Sequence, residues 1–232
     1  MSSPDPREDT YSKDACPEDI ATFNRLHEEL LAAAVVLDDL EPAVTIFGSA
    51  RTKPHDAEYA LARAIGHGLG LANVPVITGG GPGIMEAANR GASEAKGINI
   101  GLTISIPAEE FDNPYISREL NLLFHYFFMR KFWFTYPAKA VIQFPGGFGT
   151  MDELFEILTL IQTQKIKKRV PIVLFGTDFW DRVVDFDALV EFGTISAGDL
   201  DLFYRTDSVD AAYDYITAEL TAHGLDTPGV QL

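Results

Sequence analysis

The fold is decided by the stretch VPVITGGGPGIMEAA, which occupies residues 74–88. Its first five residues are mostly apolar and β-branched, and they predict a short buried strand. The glycines that follow predict a tight turn, because glycine accepts positive φ and lets the backbone approach a ligand closely. From residue 84 onward the spacing of apolar residues predicts a helix over 84–96, with Gly97 as the left-handed residue that ends it.

Short apolar strands alternate with helices along most of the chain. Besides the strand at 74–78, the pattern predicts strands over 43–47, 98–106, 138–144 and 170–175, while residues 120–124 fit either a strand or coil. Helices are predicted over 17–40, 56–71, 127–135, 151–164, 179–190 and 209–223. Such alternation predicts an α/β fold, with a Rossmann-like, doubly wound, mainly parallel sheet that carries helices on both faces.

The chain is expected to form a single Rossmann-like domain over residues 17–232. Residues 1–16 are polar and charged, and we interpret them as a mobile N-terminal tail. The helix over 17–40 carries apolar residues at helical spacing, so we expect it to pack on the outside of the core.

The acidic composition excludes several classes of function. The chain has 18 Lys and Arg against 34 Asp and Glu, a formal net charge of −16. It therefore lacks the excess of cations that binding to nucleic acid or to an anionic membrane surface requires. The longest apolar run, residues 30–37, is far too short to span a membrane. The N-terminus has no apolar run of the kind a signal peptide needs, so we expect a cytoplasmic protein.

The residue types that hold metals are sparse. Cys16 is the only cysteine, which excludes an internal disulfide and a cysteine-cluster metal site. None of the five histidines falls in a ligand spacing such as HExxH. We therefore expect no metal and no cofactor.

A second glycine-rich stretch, PGGFGTMDE, occupies residues 145–153. Thr150 and Glu153 have the spacing of a helix capping box, which is one explanation for both residues. However, three glycines are more than a cap requires, and such loops let backbone N–H groups bind an anion. Glu153, Glu156 and Thr159 also put polar groups on an otherwise apolar helix, which indicates either a cavity or a solvated edge.

Arg130 and Lys131 interrupt the aromatic run HYFFMRKFWF at residues 125–134. One interpretation is a basic pair whose charged ends reach solvent. The other is that Arg130 has an anionic partner, either a protein carboxylate or a ligand phosphate, because an unpaired buried arginine is costly. The basic run at 165–169 follows a predicted helix C-terminus, where cations are favoured, and is expected to be a solvated face.

Together these three motifs resemble the LOG family of cytokinin-activating nucleoside 5′-monophosphate phosphoribohydrolases, which are often labelled lysine decarboxylases. The resemblance extends over about residues 44–175, and the long N-terminal helix is similar to that of the longer bacterial subgroup. It implies a Rossmann-like nucleotide-binding domain that forms a homodimer or a higher multiple of one. Short family members have a second basic residue where this chain has Tyr136, a departure that bears on base or phosphate preference.

The resemblance also implies which residues form the site. The catalytic residues would be Arg130 and Glu153. The phosphate loop would consist of Gly146, Gly147, Gly149 and Thr150. Further substrate contacts are expected from Lys131, Gly80, Gly81, Glu109 and Thr159, and Glu110 or Asp112 could serve in place of Glu109.

The resulting expectation is hydrolysis of the N-glycosidic bond of a purine, or N6-modified adenine, nucleoside 5′-monophosphate. The products would be the free base and ribose 5-phosphate. The alternative is a non-catalytic nucleotide or cofactor carrier of the same fold. A pyridoxal-phosphate decarboxylase is disfavoured, because none of the eight lysines lies in a recognisable Schiff-base motif.

Overall fold

The computed structural model describes residues 17–37, 43–106 and 111–223. The predicted tail at 1–16 and the candidate residue Glu109 lie outside these residues. The division of the chain into a tail and one domain therefore stays a prediction.

Seven parallel strands form one sheet in the order β4-β3-β2-β1-β5-β6-β7. They are β1 (Ala43–Phe47), β2 (Val76–Thr78), β3 (Asn99–Ile104), β4 (Asn121–Phe124), β5 (Ala138–Gln143), β6 (Ile172–Phe175) and β7 (Phe203–Thr206). This confirms the predicted α/β class. The strand order reverses between β1 and β5, and doubly wound sheets bind their ligands beyond the carboxyl ends of the strands at such a reversal.

Among the described residues, eight helices cover both faces of the sheet. They are α1 (Pro17–Leu37), α2 (Ala57–Leu71), α3 (Ile84–Glu94), α4 (Phe127–Thr135), α5 (Phe148–Gln162), α6 (Thr177–Val183), α7 (Phe186–Glu191) and α8 (Val209–His223). The buried residues of α1, α4, α5, α6 and α7 belong to one hydrophobic cluster, and those of α2, α3 and α8 belong to a second. All residues of β1 and β6 are buried, as expected for strands covered on both sides.

The end of α3 differs from the prediction. The helix stops at Glu94, and the left-handed residue after it is Lys96, with φ 60°, rather than Gly97. The Gly97 N–H donates to the Ala92 carbonyl at 2.9 Å, which completes the hydrogen bonding of the helix end. Gly97 is needed for a different reason, because a Cβ there would lie 2.5 Å from the Cα of Gly70 on α2.

Two further differences concern short elements. The single helix predicted over 179–190 is two helices, because Asp185 interrupts it and accepts a hydrogen bond from Ala188 N at 2.9 Å as the cap of α7. The sequence analysis missed β7, whose four residues are too few to show a clear period. Residues 121–124 form a strand, which decides the open assignment at 120–124.

Helix α1 packs on the outside of the core, as expected, but it leaves most of its apolar side chains exposed in a single chain. Among the side chains of this helix that the structure describes, only Ala33 and Leu37 are buried, whereas Phe23 is 66% exposed and Val35 is 78% exposed. The helix packs beside α4 and β4, and Glu29 lies 2.7 Å from the ring of His125. The amphipathic spacing predicted the helix correctly but not which surface covers its apolar face.

Candidate active site

A cavity of about 700 Å³ opens at the carboxyl ends of the central strands. The segment after β1, the glycine turn after β2 and the first turn of α5 line it, together with side chains from β3 and α4. The cavity therefore lies at the reversal of strand order between β1 and β5, where this class of sheet binds ligands.

The phosphate loop expected at 146–150 is the uncapped N-terminus of α5. The N-cap is Gly147, which provides no side-chain hydrogen bond, and the first helical bond runs from Met151 N to Gly147 O at 3.0 Å. The N–H groups of Phe148, Gly149 and Thr150 thus have no acceptor within the helix, as is general for a first helical turn. Gly146, Gly147, Gly149 and Thr150 all line the cavity.

The capping-box interpretation of Thr150 and Glu153 is wrong. Because α5 begins at Phe148, three residues earlier than predicted, Thr150 lies within the first turn and Glu153 in the second. Neither residue can then serve as the cap. Both side chains are nevertheless buried and line the cavity, so their polar groups need another explanation.

The glycine turn after β2 forms the opposite wall. Gly80 has φ +70°, and its N–H donates to Thr78 Oγ1 at 3.0 Å. The Thr78 hydroxyl donates in turn to Asn89 Oδ1 at 2.6 Å, and Asn113 Nδ2 donates to the same oxygen at 3.2 Å. The buried amide of Asn89 therefore ties the turn to the segment that follows residue 110. The sequence analysis did not identify this network, whose members are distant along the chain.

Arg130 and Glu153 meet across α4 and α5. Arg130 Nη2 lies 3.9 Å from Glu153 Oε1, and the two side chains are 13% and 8% exposed. The guanidinium also lies over the rings of Phe127 and Phe134, at 5.1 and 5.3 Å from their centroids. Its Nε is buried without a hydrogen-bond partner. The expected anionic partner of Arg130 is thus a protein carboxylate, and part of its hydrogen-bonding capacity remains unused.

Burial controls the ionisation of this pair. Loss of solvent raises the pKa of Glu153 to about 7, although the positive charges of Arg130 and Lys131 oppose the shift. Burial also lowers the pKa of Arg130, and the Glu153 carboxylate opposes that change. A carboxyl group that titrates near neutral pH in a cavity is suited to accepting a proton during a reaction.

Two of the predicted substrate contacts, Lys131 and Thr159, lie away from the cavity. Lys131 Nζ lies 2.7 Å from Asp152 and 3.0 Å from Glu156, which binds α4 to α5, and it does not line the cavity. Thr159 is exposed, and its hydroxyl donates to the Phe155 carbonyl one turn earlier on α5. The polar stripe on α5 is therefore divided between the cavity and a solvated edge.

Several lining residues were not identified from the sequence. They include Ser49, Arg51, Thr103, Phe111 and Val183, whereas the expected Gly80 and Gly81 do line the cavity. Ser49 and Arg51 directly follow β1, so their position at the end of a central strand was a usable signal. Phe111 and Val183 carried no such signal, because only the tertiary fold brings their segments to the cavity.

The described segments contain neither a cluster of metal-binding side chains nor a helix able to span a membrane. Within 17–37, 43–106 and 111–223, no group of three or more His, Cys, Asp or Glu side chains is placed to hold a metal ion. None of the helices in these segments has both the length and the hydropathy needed to cross a membrane.

Comparisons with known proteins agree with the motif assignment. Residues 85–216 match the family described as possible lysine decarboxylase. The pyrimidine/purine nucleotide 5′-monophosphate nucleosidase of Escherichia coli K12 is 36% identical over 131 residues, which cover 53% of this chain and 28% of that protein. The chain thus spans little more than a quarter of the length of this relative.

A plant protein and a solved structure are also similar. The cytokinin riboside 5′-monophosphate phosphoribohydrolase LOG2 of Arabidopsis thaliana is 30% identical over 154 residues, which cover 63% of this chain and 67% of that protein. The molybdenum cofactor binding protein of Rippkaea orientalis has a TM-score of 0.55 at 18% identity, over 78% of this chain and 98% of that one. The latter likeness shows a shared fold. Because the family match covers more than half of its residues, the chain belongs to the LOG family, which is also known as the possible lysine decarboxylase family.

Proposed function

We propose that this protein hydrolyses the N-glycosidic bond of a purine, or N6-modified adenine, nucleoside 5′-monophosphate, releasing the free base and ribose 5-phosphate. The observation that carries the proposal is the Arg130–Glu153 pair, which is buried beside an uncapped helix N-terminus in one cavity. The names of the similar nucleosidase and phosphoribohydrolase support the same reaction class.

The 5′-phosphate would bind the free N–H groups of the first turn of α5, at the positive end of the helix dipole. This explains how a chain of net charge −16 binds an anion, because the donors are backbone groups. Binding the phosphate would orient the ribose, so that binding energy remote from the scissile bond contributes to catalysis.

Glu153 would act on the ribose itself. As the bond from C1′ to the base nitrogen breaks, positive charge develops on the sugar, and an ionised Glu153 stabilises it. The carboxylate then accepts a proton from the attacking water, whose oxygen bonds to C1′. The departing base keeps the bonding electron pair and takes up one proton. Arg130 holds the carboxylate in position.

A decarboxylase using pyridoxal phosphate fits these residues poorly. That chemistry requires a lysine that forms a Schiff base with the cofactor. Among the described residues that line the cavity there is no lysine, and Lys131 is occupied by two carboxylates outside it.

We also propose a homodimer, or a higher multiple of it, located in the cytoplasm. The supporting observation is the apolar exposure of three elements that pack together, α1, β4 and α4. Four of their side chains are each more than half exposed, namely Phe23, Leu123, Phe127 and Phe128. The sequence of the aromatic run at 125–134 led us to expect that Trp133 would add to such a surface. That expectation is wrong, because Trp133 is buried in the core of one chain.

The function is tested by incubating the protein with AMP and adenosine and measuring adenine release by chromatography. AMP should be cleaved, adenosine hardly at all, and ATP poorly, because a turn for one terminal phosphate leaves little room for more. Glu153→Gln keeps the shape of the side chain and should lower turnover by roughly 100-fold or more, the scale seen when one electrostatic stabiliser is removed. Binding of AMP without release of adenine by the unaltered protein would instead support the carrier alternative.

A further inference from the structure

We propose that Arg51 binds the 5′-phosphate of the substrate from the β1 side of the cavity, opposite the N-terminus of α5. This inference rests on the proposed function. The phosphate would then be bound from two sides, by the Arg51 guanidinium and by the backbone N–H groups at the start of α5, rather than by the glycine loop alone.

The backbone that carries Arg51 is held at the cavity by hydrogen bonds on two sides. Ser49 N donates to the Pro145 carbonyl at 2.9 Å, which joins the segment after β1 to the loop before α5. Ile84 N, at the start of α3, donates to the Ser49 carbonyl at 3.1 Å. The Arg51 N–H donates to Ser49 Oγ at 3.1 Å, which closes a local turn.

These contacts put the guanidinium within reach of the phosphate loop. Arg51 is two residues beyond Ser49, a span of at most about 7 Å, and Ser49 is hydrogen-bonded to the residue next to Gly146. Arg51 itself lines the cavity. It can therefore approach an anion that occupies the space over Gly146 and Gly149.

The charges in the cavity distinguish Arg51 from Arg130. Both arginines line the cavity, but Arg130 faces Glu153 and lies over two aromatic rings. Arg51 is exposed, and it has no ion pair with any carboxylate in the described segments. It is thus the cavity arginine whose charge is still available to a ligand.

The chemistry of the side chain matches a phosphate. A guanidinium presents N–H donors in a planar fork that binds two phosphate oxygens at once, whereas an ammonium acts as a point charge. In a chain of net charge −16, a cation at the mouth of the cavity also counteracts the repulsion that an approaching anion meets. The competing explanation is a solvated arginine that touches no ligand.

The experiment compares Arg51→Gln with a matched control, Lys53→Gln. Lys53 is also exposed and carries the same charge, but it does not line the cavity. Calorimetry with ribose 5-phosphate and with ribose measures phosphate recognition without turnover. Steady-state kinetics with AMP supplies KM and kcat for the same variants.

Arg51→Gln should weaken ribose 5-phosphate binding roughly 10-fold or more and raise the KM for AMP by a similar factor, as expected for loss of a charge-assisted hydrogen bond. The kcat should change little, and Lys53→Gln should resemble the unaltered protein. Arg51→Lys should recover part of the affinity. Three results overturn the inference while leaving the proposed function intact. The first is an unchanged affinity of Arg51→Gln for ribose 5-phosphate, and the second is an equal loss of that affinity in Lys53→Gln. The third is an equal loss of affinity for ribose in Arg51→Gln. Failure of the unaltered protein to bind ribose 5-phosphate overturns the inference, and failure to cleave AMP overturns both the inference and the proposed function.

Discussion

Gly146 packs directly against Thr150, so that a Cβ at position 146 would overlap the Thr150 hydroxyl and lie 2.6 Å from its Cβ. By contrast, a Cβ at Gly149 would meet nothing within 4 Å and would extend into open space. The fold therefore requires a glycine at position 146 but not at position 149. Gly146 allows the turn to close on α5, whereas the proposed function expects Gly149 to keep space open for the phosphate.

Gly146→Ala should lower both stability and activity, because Thr150 or the loop must move to relieve the overlap. Gly149→Ala should leave the thermal midpoint nearly unchanged but raise the KM for AMP several-fold, because the methyl group occupies space needed by the phosphate. Thermal unfolding and steady-state kinetics of both variants check these expectations. A Gly149→Ala protein with normal KM would show that the phosphate does not contact this turn.

The pH dependence of activity should follow the ionisation of Glu153. Its pKa is raised to about 7 by burial, and the proposed reaction requires the carboxylate. The kcat/KM for AMP should therefore rise about tenfold per pH unit below pH 7 and level off above it. The substrate phosphate also ionises, with a second pKa near 6. Inhibition by ribose 5-phosphate, measured over the same pH range, distinguishes this ionisation from that of Glu153. A profile that is flat from pH 5.5 to 8.5 would contradict the assignment.

The same titration predicts how stability varies with pH. The carboxyl of Glu153 has a higher pKa in the folded chain than the ordinary value of 4.5 for a glutamate, so the folded state holds the proton more tightly. The free energy of unfolding should then fall as pH rises from about 4.5 to about 7, by an amount on the order of 3 kcal/mol. Urea unfolding at pH 5 and pH 8 should show this decrease for the unaltered protein and a smaller one for Glu153→Gln.

Lys131 is expected to position α4 rather than to bind substrate. Lys131→Met removes the ion pairs to Asp152 and Glu156 and should lower the free energy of unfolding by about 1 kcal/mol. Lys131→Arg should restore most of that loss. The affinity for ribose 5-phosphate should change less than in Arg51→Gln, and a larger loss of affinity would place the ammonium group at the substrate.

The oligomeric state can be tested at the apolar surface of α4. Phe128 is 59% exposed in one chain, and Phe128→Asp would put a charge into the proposed dimer contact. Sedimentation should give a multiple of 25.5 kDa for the unaltered protein and a smaller mass for the variant. Phe192→Asp is the control, since Phe192 is 84% exposed but lies after α7. A mass of one chain for the unaltered protein at micromolar concentration would contradict the dimer.

The sequence by itself determined the α/β class, most helices and strands, and the two glycine turns that line the cavity. These features depend on neighbours a few residues apart, because helical and strand periods and the conformational freedom of glycine are local properties. The same local rules failed at element ends. Lys96 rather than Gly97 takes the left-handed conformation, and the early start of α5 at Phe148 removes Thr150 from the cap.

Only the tertiary structure decided which polar residues share the cavity. Arg130 and Lys131 are adjacent in sequence, yet Arg130 lines the cavity beside Glu153 while Lys131 binds Asp152 and Glu156 outside it. Arg51 lines the same cavity as residues 146–150 only because the strand order places β1 beside β5. These relationships follow from how strands pair and how helices pack, which join residues far apart along the chain, so no local pattern in the sequence encodes them.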